Sequence, residues 1–397
     1  MQWVSARGAA AGCTPPLPGR RLPLAAAAGA VLADDVHAPA DLPAADTSAM
    51  DGWAVGGPPP WTVRGEVLAG KPPAPLPAGG AVRIATGALL PPGADGVLRR
   101  ERGTESGGVL RPLGDRVDGV PSDVTGVVAA DVRPAGRECR RGDVVLPAGS
   151  RLTPAAVGLL AAVGADQVAV RQARVAVLVL GDELVADGVP RVGTVRDALG
   201  PMLAAWLPAL GARVVLADHV PDRYDALADA LAELTGPTRE RRVDVVVTTG
   251  STARGPVDHL HAVLEGCGAR LVVDGVAVRP GHPQLLALLP RPQGGTVPLA
   301  GLPGNPLAAV SAVLTLLEPL LAAMHAGPPR PVRRVRLAEA VHAGGEATRL
   351  VPVLAGRPVR YAGPAMLRGL AVADGVAVVP PGGSPAGAEV ELLDLPV

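Results

Sequence analysis

Through the second half of the chain, continuous apolar runs alternate with amphipathic stretches. The runs at residues 173–180, 212–217, 243–249 and 296–302 are Val/Leu/Ala-rich and bounded by Gly, Asp or Pro, as in ARVAVLVLG and VDVVVTTG. Such runs read as strands buried on both faces. Between and after them, residues 197–210, 224–234, 256–265 and 306–325 carry apolar positions at helical spacing, which predicts a doubly wound α/β sheet. In such a sheet a ligand lies beyond the carboxyl ends of the strands, so the loops at 180–184, 218–222, 249–258 and 302–306 are expected to converge on one site.

The rest of the chain is patterned differently. In residues 51–130, short Val-rich pieces such as WTVRGEVLAG and GGVLRPLGDRV are separated by Gly and Pro, predicting an inserted β-rich domain with tight turns. Upstream, the Ala-rich stretch 24–34 predicts one short helix, preceded by an irregular Pro/Arg segment. A second helix, with Thr153 as N-cap and Pro154 at its first position, is expected to pack beside the first. Residues 1–50 and 131–172 therefore read as an α+β domain interrupted by the insertion, and 173–328 as the α/β domain. The proline run at 328–334 reads as a linker to a small C-terminal β domain, 329–397.

Composition narrows the function classes. Lys+Arg 37 against Asp+Glu 37 leaves a formal net charge of +0, which removes the electrostatic case for nucleic acid or an anionic membrane. With 48% hydrophobic and 19% charged residues the balance is globular, despite Gly 51 and Pro 44. Phe is absent and Lys71 is the only lysine, so cationic sites must be built from Arg or His. Cys13, Cys139 and Cys267 are far apart and show no CxxC, which signals neither a disulfide framework nor a zinc site. Ala10–Cys13 has the form of a lipoprotein cleavage site, but Arg7 interrupts the apolar stretch such a site needs. No apolar run reaches the roughly 18–20 residues that span a bilayer. A cytoplasmic protein is expected.

Several loops carry candidate chemistry. Leu-Pro-Gly-Asn-Pro at 302–306 leaves a strand and opens a helix, with Asn305 as N-cap and Pro306 at the first helical position. The amides and dipole there favour a phosphate, and Gly304 admits close approach. An ordinary capped helix is the plainer alternative. TGSTARGPVD at 249–258 combines Gly250, Ser251, Gly255 and Asp258, which suits a phosphate or pterin with a metal nearby. Glu183 follows Asp182 at a strand end, and Asp197 and Asp222 terminate neighbouring pieces. These carboxylates supply the oxygen ligands Mg²⁺ takes, although Asp197 and Asp222 each precede a helix and read equally as caps. Arg279-Pro-Gly-His282 sets two cations in a turn, apt for an oxyanion or simply solvated. The string DTSAMDGWAV at 46–55 fits neither a helix nor a strand period, and strings of that kind serve sites.

In the fuller form DLPAADTSAMDGWAV, this string closely resembles the signature of the molybdopterin molybdenumtransferase family, the MoeA and gephyrin E-domain proteins. Four more segments agree in order: RIATGALLPPGADGVLRRE (83–101), GDVVLPAGSRLTPAAVGLLAAVGADQV (142–168), GDELV (181–185) with RD at 196–197, and GLPGNPLAAV (301–310). The agreement covers residues from about 22 to 397. The resemblance implies a multidomain α/β protein: a doubly wound molybdopterin-binding domain, an elongated α+β domain, an inserted β-rich domain and a small C-terminal β domain. It implies homodimers with the site between subunits, and insertion of molybdate into adenylylated molybdopterin with Mg²⁺ and release of AMP. Other molybdenum cofactor biosynthesis proteins become candidate partners.

Carried over by motif, Asp51, Thr86, Glu183, Asp222 and Asp258 are the implied catalytic residues, and Glu183, Asp222 and Asp258 the implied metal ligands. Asp51 would position or activate the attacking oxyanion or water. Gly250, Ser251, Gly255, Pro303, Gly304 and Asn305 would hold pterin and phosphate, and Arg279 with His282 would hold molybdate. The chain departs from the family pattern in several places. Ser251 and Ala253 replace a Gly and a Ser, Leu180 replaces a Thr before Gly181, and Arg137 stands where an acid is usual. His282 replaces a lysine, exchanging an ammonium for a group that titrates near neutrality. These departures leave a second reading, a non-catalytic paralogue that binds molybdopterin or a partner protein. A third is the adenylyltransferase of the preceding step, against which the SAMDGW segment and the C-terminal domain argue.

Overall fold

A computed structural model describes residues 1–113, 116–117, 120–121, 131–236, 242–255, 258–327 and 331–396. The chain folds as two compact units, one of Met1–Asp34, Ala148–Val157 and Gln167–Val397, the other of Asp35–Pro147 and Gly158–Asp166.

The larger unit is organised by a six-stranded sheet in the order Arg213–Val220, Arg174–Leu180, Val245–Thr249, Thr296–Leu302, Leu285–Pro290, Arg270–Asp274. The first four strands are parallel, and the last two extend the sheet antiparallel beyond the strands expected from the alternation. Strand pleat explains the unbroken apolar runs. Val175, Val177 and Val179 pack with Leu203, Leu207 and Leu317 on one face, while Ala176, Leu178 and Leu180 pack with Leu227, Leu231 and Leu260 on the other. The helices Leu199–Ala209, Tyr224–Thr235 and Leu260–Gly266 match three expected ones closely. The expected start of the last, at residue 256, lies outside the described residues.

The helix Pro306–His325 is long and apolar enough to cross a membrane, so the count of apolar runs in the sequence missed it. Its apolar window is 89% buried within the protein, as the helix at the centre of a core is. It carries a π segment at Val313–Leu317. Such a segment frees backbone carbonyls. The N-terminal helix Trp3–Gly12 bonds to this segment: Arg7 donates to the Leu314 carbonyl, and Trp3 Nε1 donates to the Thr315 hydroxyl at 3.1 Å.

The first forty residues correct the sequence reading. Where an irregular segment was expected, Trp3, Ala6 and Ala10 form the buried face of that helix, and Arg20–Pro23 is a strand paired with Gln167–Arg171. Where a helix was expected at 24–34, only the turn Leu24–Ala26 is helical. Backbone partners elsewhere win the competition: Gly29 donates to Leu152 O, Leu32 to Ser150 O and Ala33 to Ala169 O, at 2.8–2.9 Å. The helix Pro154–Ala162 does begin at Thr153, whose Oγ1 accepts from Ala156 N–H at 3.2 Å, but it has no first helix at 24–34 to pack beside.

The C-terminal strands form a sheet in the order Val278–Arg279, Thr348–Leu354, Gly375–Val379, Glu389–Leu393, Arg333–Arg336. Its first strand comes from the α/β region, and parallel pairing sets Arg279 opposite Arg349.

The smaller unit holds a second six-stranded sheet. The signature string contributes the strand Gly52–Val55, paired on both sides by Gly80–Ile84 and Gly96–Arg99. The absence of a period therefore misled: Trp53 and Val55 fill one apolar cluster and Ala54 another, so no polar alternation is needed.

Candidate functional site

In the larger unit the strand-end loops meet. Gly250 N–H donates to Leu302 O at 2.8 Å, and a Cβ on Gly250 (φ +87°) would lie 3.1 Å from the Leu180 carbonyl. Gly304 stacks on it, its own Cβ position 3.6 Å from Gly250 Cα. Asp182 N–H donates to Asp222 Oδ2 at 3.2 Å, and Asp222 N–H donates back to Asp182 Oδ1 at 3.3 Å.

These contacts separate caps from site carboxylates. Asp197 is a cap, its Oδ1 accepting from Leu199 and Gly200 N–H at 3.0 and 2.9 Å. Asp222 is not, because the helix Tyr224–Thr235 opens at Arg223 without a side-chain cap. Burial pushes the Asp222 carboxyl above its ordinary range, and the charges of Asp182 and Glu183 push the same way.

Asp258 braces its own loop, with Oδ2 accepting from Gly255 N–H at 2.7 Å. Ser251 stands at φ +55°, a left-handed conformation that suits the glycine usual in the resembling family. Its Oγ accepts from Leu260 N–H at 3.4 Å.

Three expectations need correction. First, Glu183, Asp222 and Asp258 do not form a ready metal cage: among the described residues no group of three or more His, Cys, Asp or Glu stands together for a metal. Asp258 is engaged with Gly255, and Asp222 with Asp182. Second, the amides at the head of Pro306–His325 are not open to a phosphate. Leu307 and Ala308 N–H both donate to the Pro364 carbonyl, at 2.8 and 3.3 Å, and Asn305 makes no side-chain cap. In the preceding turn Pro303 is buried, and Gly304 and Asn305 are exposed.

Third, His282 does not pair with Arg279. Its Nδ1 lies 2.7 Å from the Val276 carbonyl and it stays outside the Arg279 pocket. That pocket, about 420 Å³, is lined instead by Arg279, His342 and Arg349 together with Pro280, Gly363 and Pro364. Arg349 Nη1 donates to His342 O at 2.6 Å. Sequence reasoning missed Arg349 and His342 because nothing local in their strand marks them; the signal is the parallel pairing with Arg279.

In the smaller unit, Asp51 and Thr86 come together. Asp51 Oδ1 accepts from Thr86 N–H at 2.7 Å and from Thr86 Oγ1 at 2.9 Å. Those bonds hold the Asp51 carboxyl below its ordinary range, and Arg100 adds to the effect. Asp51 borders a cleft of about 450 Å³ with Glu66, Arg83, Arg100 and Glu105. Glu105 binds Arg83 and accepts from Trp53 Nε1 at 3.1 Å, which ties the cleft wall to the strand Gly52–Val55.

The chain matches three family models in order: "MoeA N-terminal region (domain I and II)" over residues 4–164, "Probable molybdopterin binding domain" over 176–323 and "MoeA C-terminal region (domain IV)" over 334–395. The match starts at residue 4, so it takes in the N-terminal helix that the motif comparison left outside. A molybdopterin molybdenumtransferase of Synechococcus elongatus is 33% identical over 78% of this chain and 76% of its own. One from Haemophilus influenzae is 33% identical over 76% and 72%. Among solved structures, a molybdopterin biosynthesis MoeA protein from Pyrococcus horikosii superposes with a TM-score of 0.70 at 25% identity, covering 100% of this chain and 99% of that one. The chain belongs to the molybdopterin molybdenumtransferase (MoeA) family.

Proposed function

We propose that this chain is a transferase of molybdenum cofactor biosynthesis that inserts molybdate into adenylylated molybdopterin and releases AMP. One observation carries the reading: within a single unit, a two-guanidinium pocket adjoins the glycine loop at the strand ends. Pro364 lines the pocket and caps the helix that follows the loop, and a Cβ on Gly281 (φ +105°) would lie 2.9 Å from the Ala308 carbonyl of that helix. An oxyanion at Arg279 and Arg349 would thus neighbour a phosphate at Pro303, Gly304 and Asn305. Guanidinium forks match the tetrahedral face of molybdate.

A divalent cation fits this site, because Asp222 is crowded by Asp182 and Glu183 and held protonated more readily than an ordinary carboxyl. Mg²⁺ is commonly held by one or two carboxylates plus substrate phosphate and water, so a three-residue cage is not required. Asp222 with Glu183 would hold it, and when bound it would neutralise phosphate charge. Asp258 keeps the pterin loop closed through Gly255. Gly250, Ser251 and Gly255 supply the close-approach backbone. Asp51, kept ionised by Thr86, would position or activate the attacking oxyanion or water from across the proposed dimer interface.

The same reading takes the chain as a cytoplasmic homodimer with the four-part division 1–50 with 131–172, 51–130, 173–328 and 329–397. Its partners are small molecules and other cofactor-biosynthesis proteins, not nucleic acid or membrane. The strained Ser251 and the displaced His282 favour the second reading, a paralogue that binds the pterin without turnover.

The deciding experiment measures AMP release from adenylylated molybdopterin by purified protein with Mg²⁺, with and without molybdate. Molybdate-dependent release is expected. Tight pterin binding with no release would establish the non-catalytic paralogue.

A further inference from the structure

The loop after Val245–Thr249 is held at its base by Gly250 on Leu302 and by Ser251 beneath Leu260 N–H. Among the described residues, its outer part has one side-chain anchor beyond itself. Arg254 Nη2 donates to Asp274 Oδ2 at 2.8 Å, while His261 Nε2 lies 2.9 Å from Asp274 Oδ1. Both oxygens of one carboxylate are therefore used, one by the loop and one by the helix Leu260–Gly266 that follows it. Asp274 ends the antiparallel edge strand Arg270–Asp274 and pairs in register with Leu285, so it stands on a fixed platform. The buried His261 Nδ1 has no partner among the described residues, which leaves Asp274 as the group that orients the ring. His261 holds the Asp274 carboxyl below its ordinary range, and Arg254 contributes in the same direction.

We infer that Asp274 is a positioning residue: through Arg254 it holds the Gly250–Gly255 loop in the shape that receives the adenylylated pterin, a role that rests on the function proposed above. Arg254 is 75% exposed and Asp274 35%, so the clamp is weak in isolation. Its effect comes from preorganisation, since a loop ordered before binding saves the ligand that cost.

The test uses Asp274→Asn, Arg254→Ala, their combination and Arg254→Lys in the full chain. Each of the first two should raise KM for adenylylated molybdopterin about fivefold and leave kcat within about twofold. The double variant should match the singles rather than multiply them, and Arg254→Lys should restore KM. Without any substrate, trypsin should cut after Arg254 about fivefold faster in Asp274→Asn than in the parent. Arg254→Ala removes no buried group, so it keeps the test valid if Asp274→Asn folds poorly. Unchanged KM in the single variants, or multiplying effects in the double, would overturn the inference. If the parent neither binds nor turns over the pterin, the function proposed above fails instead. The cleavage rates then decide the anchor, and equal rates overturn it.

Discussion

Two carboxylates, one in each compact unit, are treated in opposite ways by their surroundings. Asp51 lies exposed on the strand-edge cleft of the β-rich unit, and Thr86 gives it an N–H and an O–H, so its charge is wanted where it stands. Asp222 lies half-buried among the strand-end loops of the α/β unit, with Asp182 and Glu183 for neighbours, so its charge is resisted. The first arrangement is finished without a ligand. The second gathers like charges, which the proposed cation would relieve. Local hydrogen bonding lowers one carboxyl and burial with local crowding raises the other.

The largest expected effect breaks the Asp51 side of this contrast. Asp51→Ala should reduce molybdate-dependent AMP release by about a hundredfold or more, the scale of a lost catalytic carboxylate, while pterin binding stays near the parent value. Retained turnover would remove Asp51 from the chemistry.

A smaller effect sharpens the contrast through stability. Because the folded Asp222 carboxyl is raised, its ionised form costs stability, and that cost grows as pH rises through the folded value. Asp222→Asn should therefore raise the melting temperature at neutral pH without metal, by about 1–2 °C for a protein of this size, and should lose the further rise that Mg²⁺ gives the parent. The sign reverses for Asp51. Its carboxyl is lowered, so its contribution is present above the ordinary carboxylate range and is lost as pH falls through the folded value. Asp51→Asn should melt below the parent at neutral pH, with the gap closing in acid. Variants that shift in the same direction would dissolve the contrast.

What could be read from the chain follows the same division between local and distant causes. The strand Thr296–Leu302 and its parallel neighbours were legible because burial on both faces writes itself into consecutive residues. The start of the helix Pro154–Ala162 was legible because its cap is local. The Ala-rich stretch 24–34 failed because alanine is indifferent: residues 150–152 and 169, distant in sequence, claim its amides. At 46–55, the lack of a period pointed to a site and concealed a central strand. Capping and site roles for Asp197 and Asp222 were undecidable from position alone, since both precede helices; what separates them is that Asp197 accepts from Leu199 and Gly200 N–H, whereas Asp222 bonds reciprocally with Asp182. Arg349 reaches Arg279 through a pairing across about seventy residues, and Pro364 reaches Leu307 across more than fifty, neither of which leaves a local trace.

The contrast is tested most directly by carboxyl ¹³C chemical shifts of Asp51 and Asp222 followed through a pH titration, first without and then with Mg²⁺. Asp51 should titrate below the ordinary aspartate range and ignore the metal. Asp222 should titrate above that range and move down when Mg²⁺ is added. Two carboxyls titrating together in the ordinary range, with no response to Mg²⁺ at Asp222, would contradict the account.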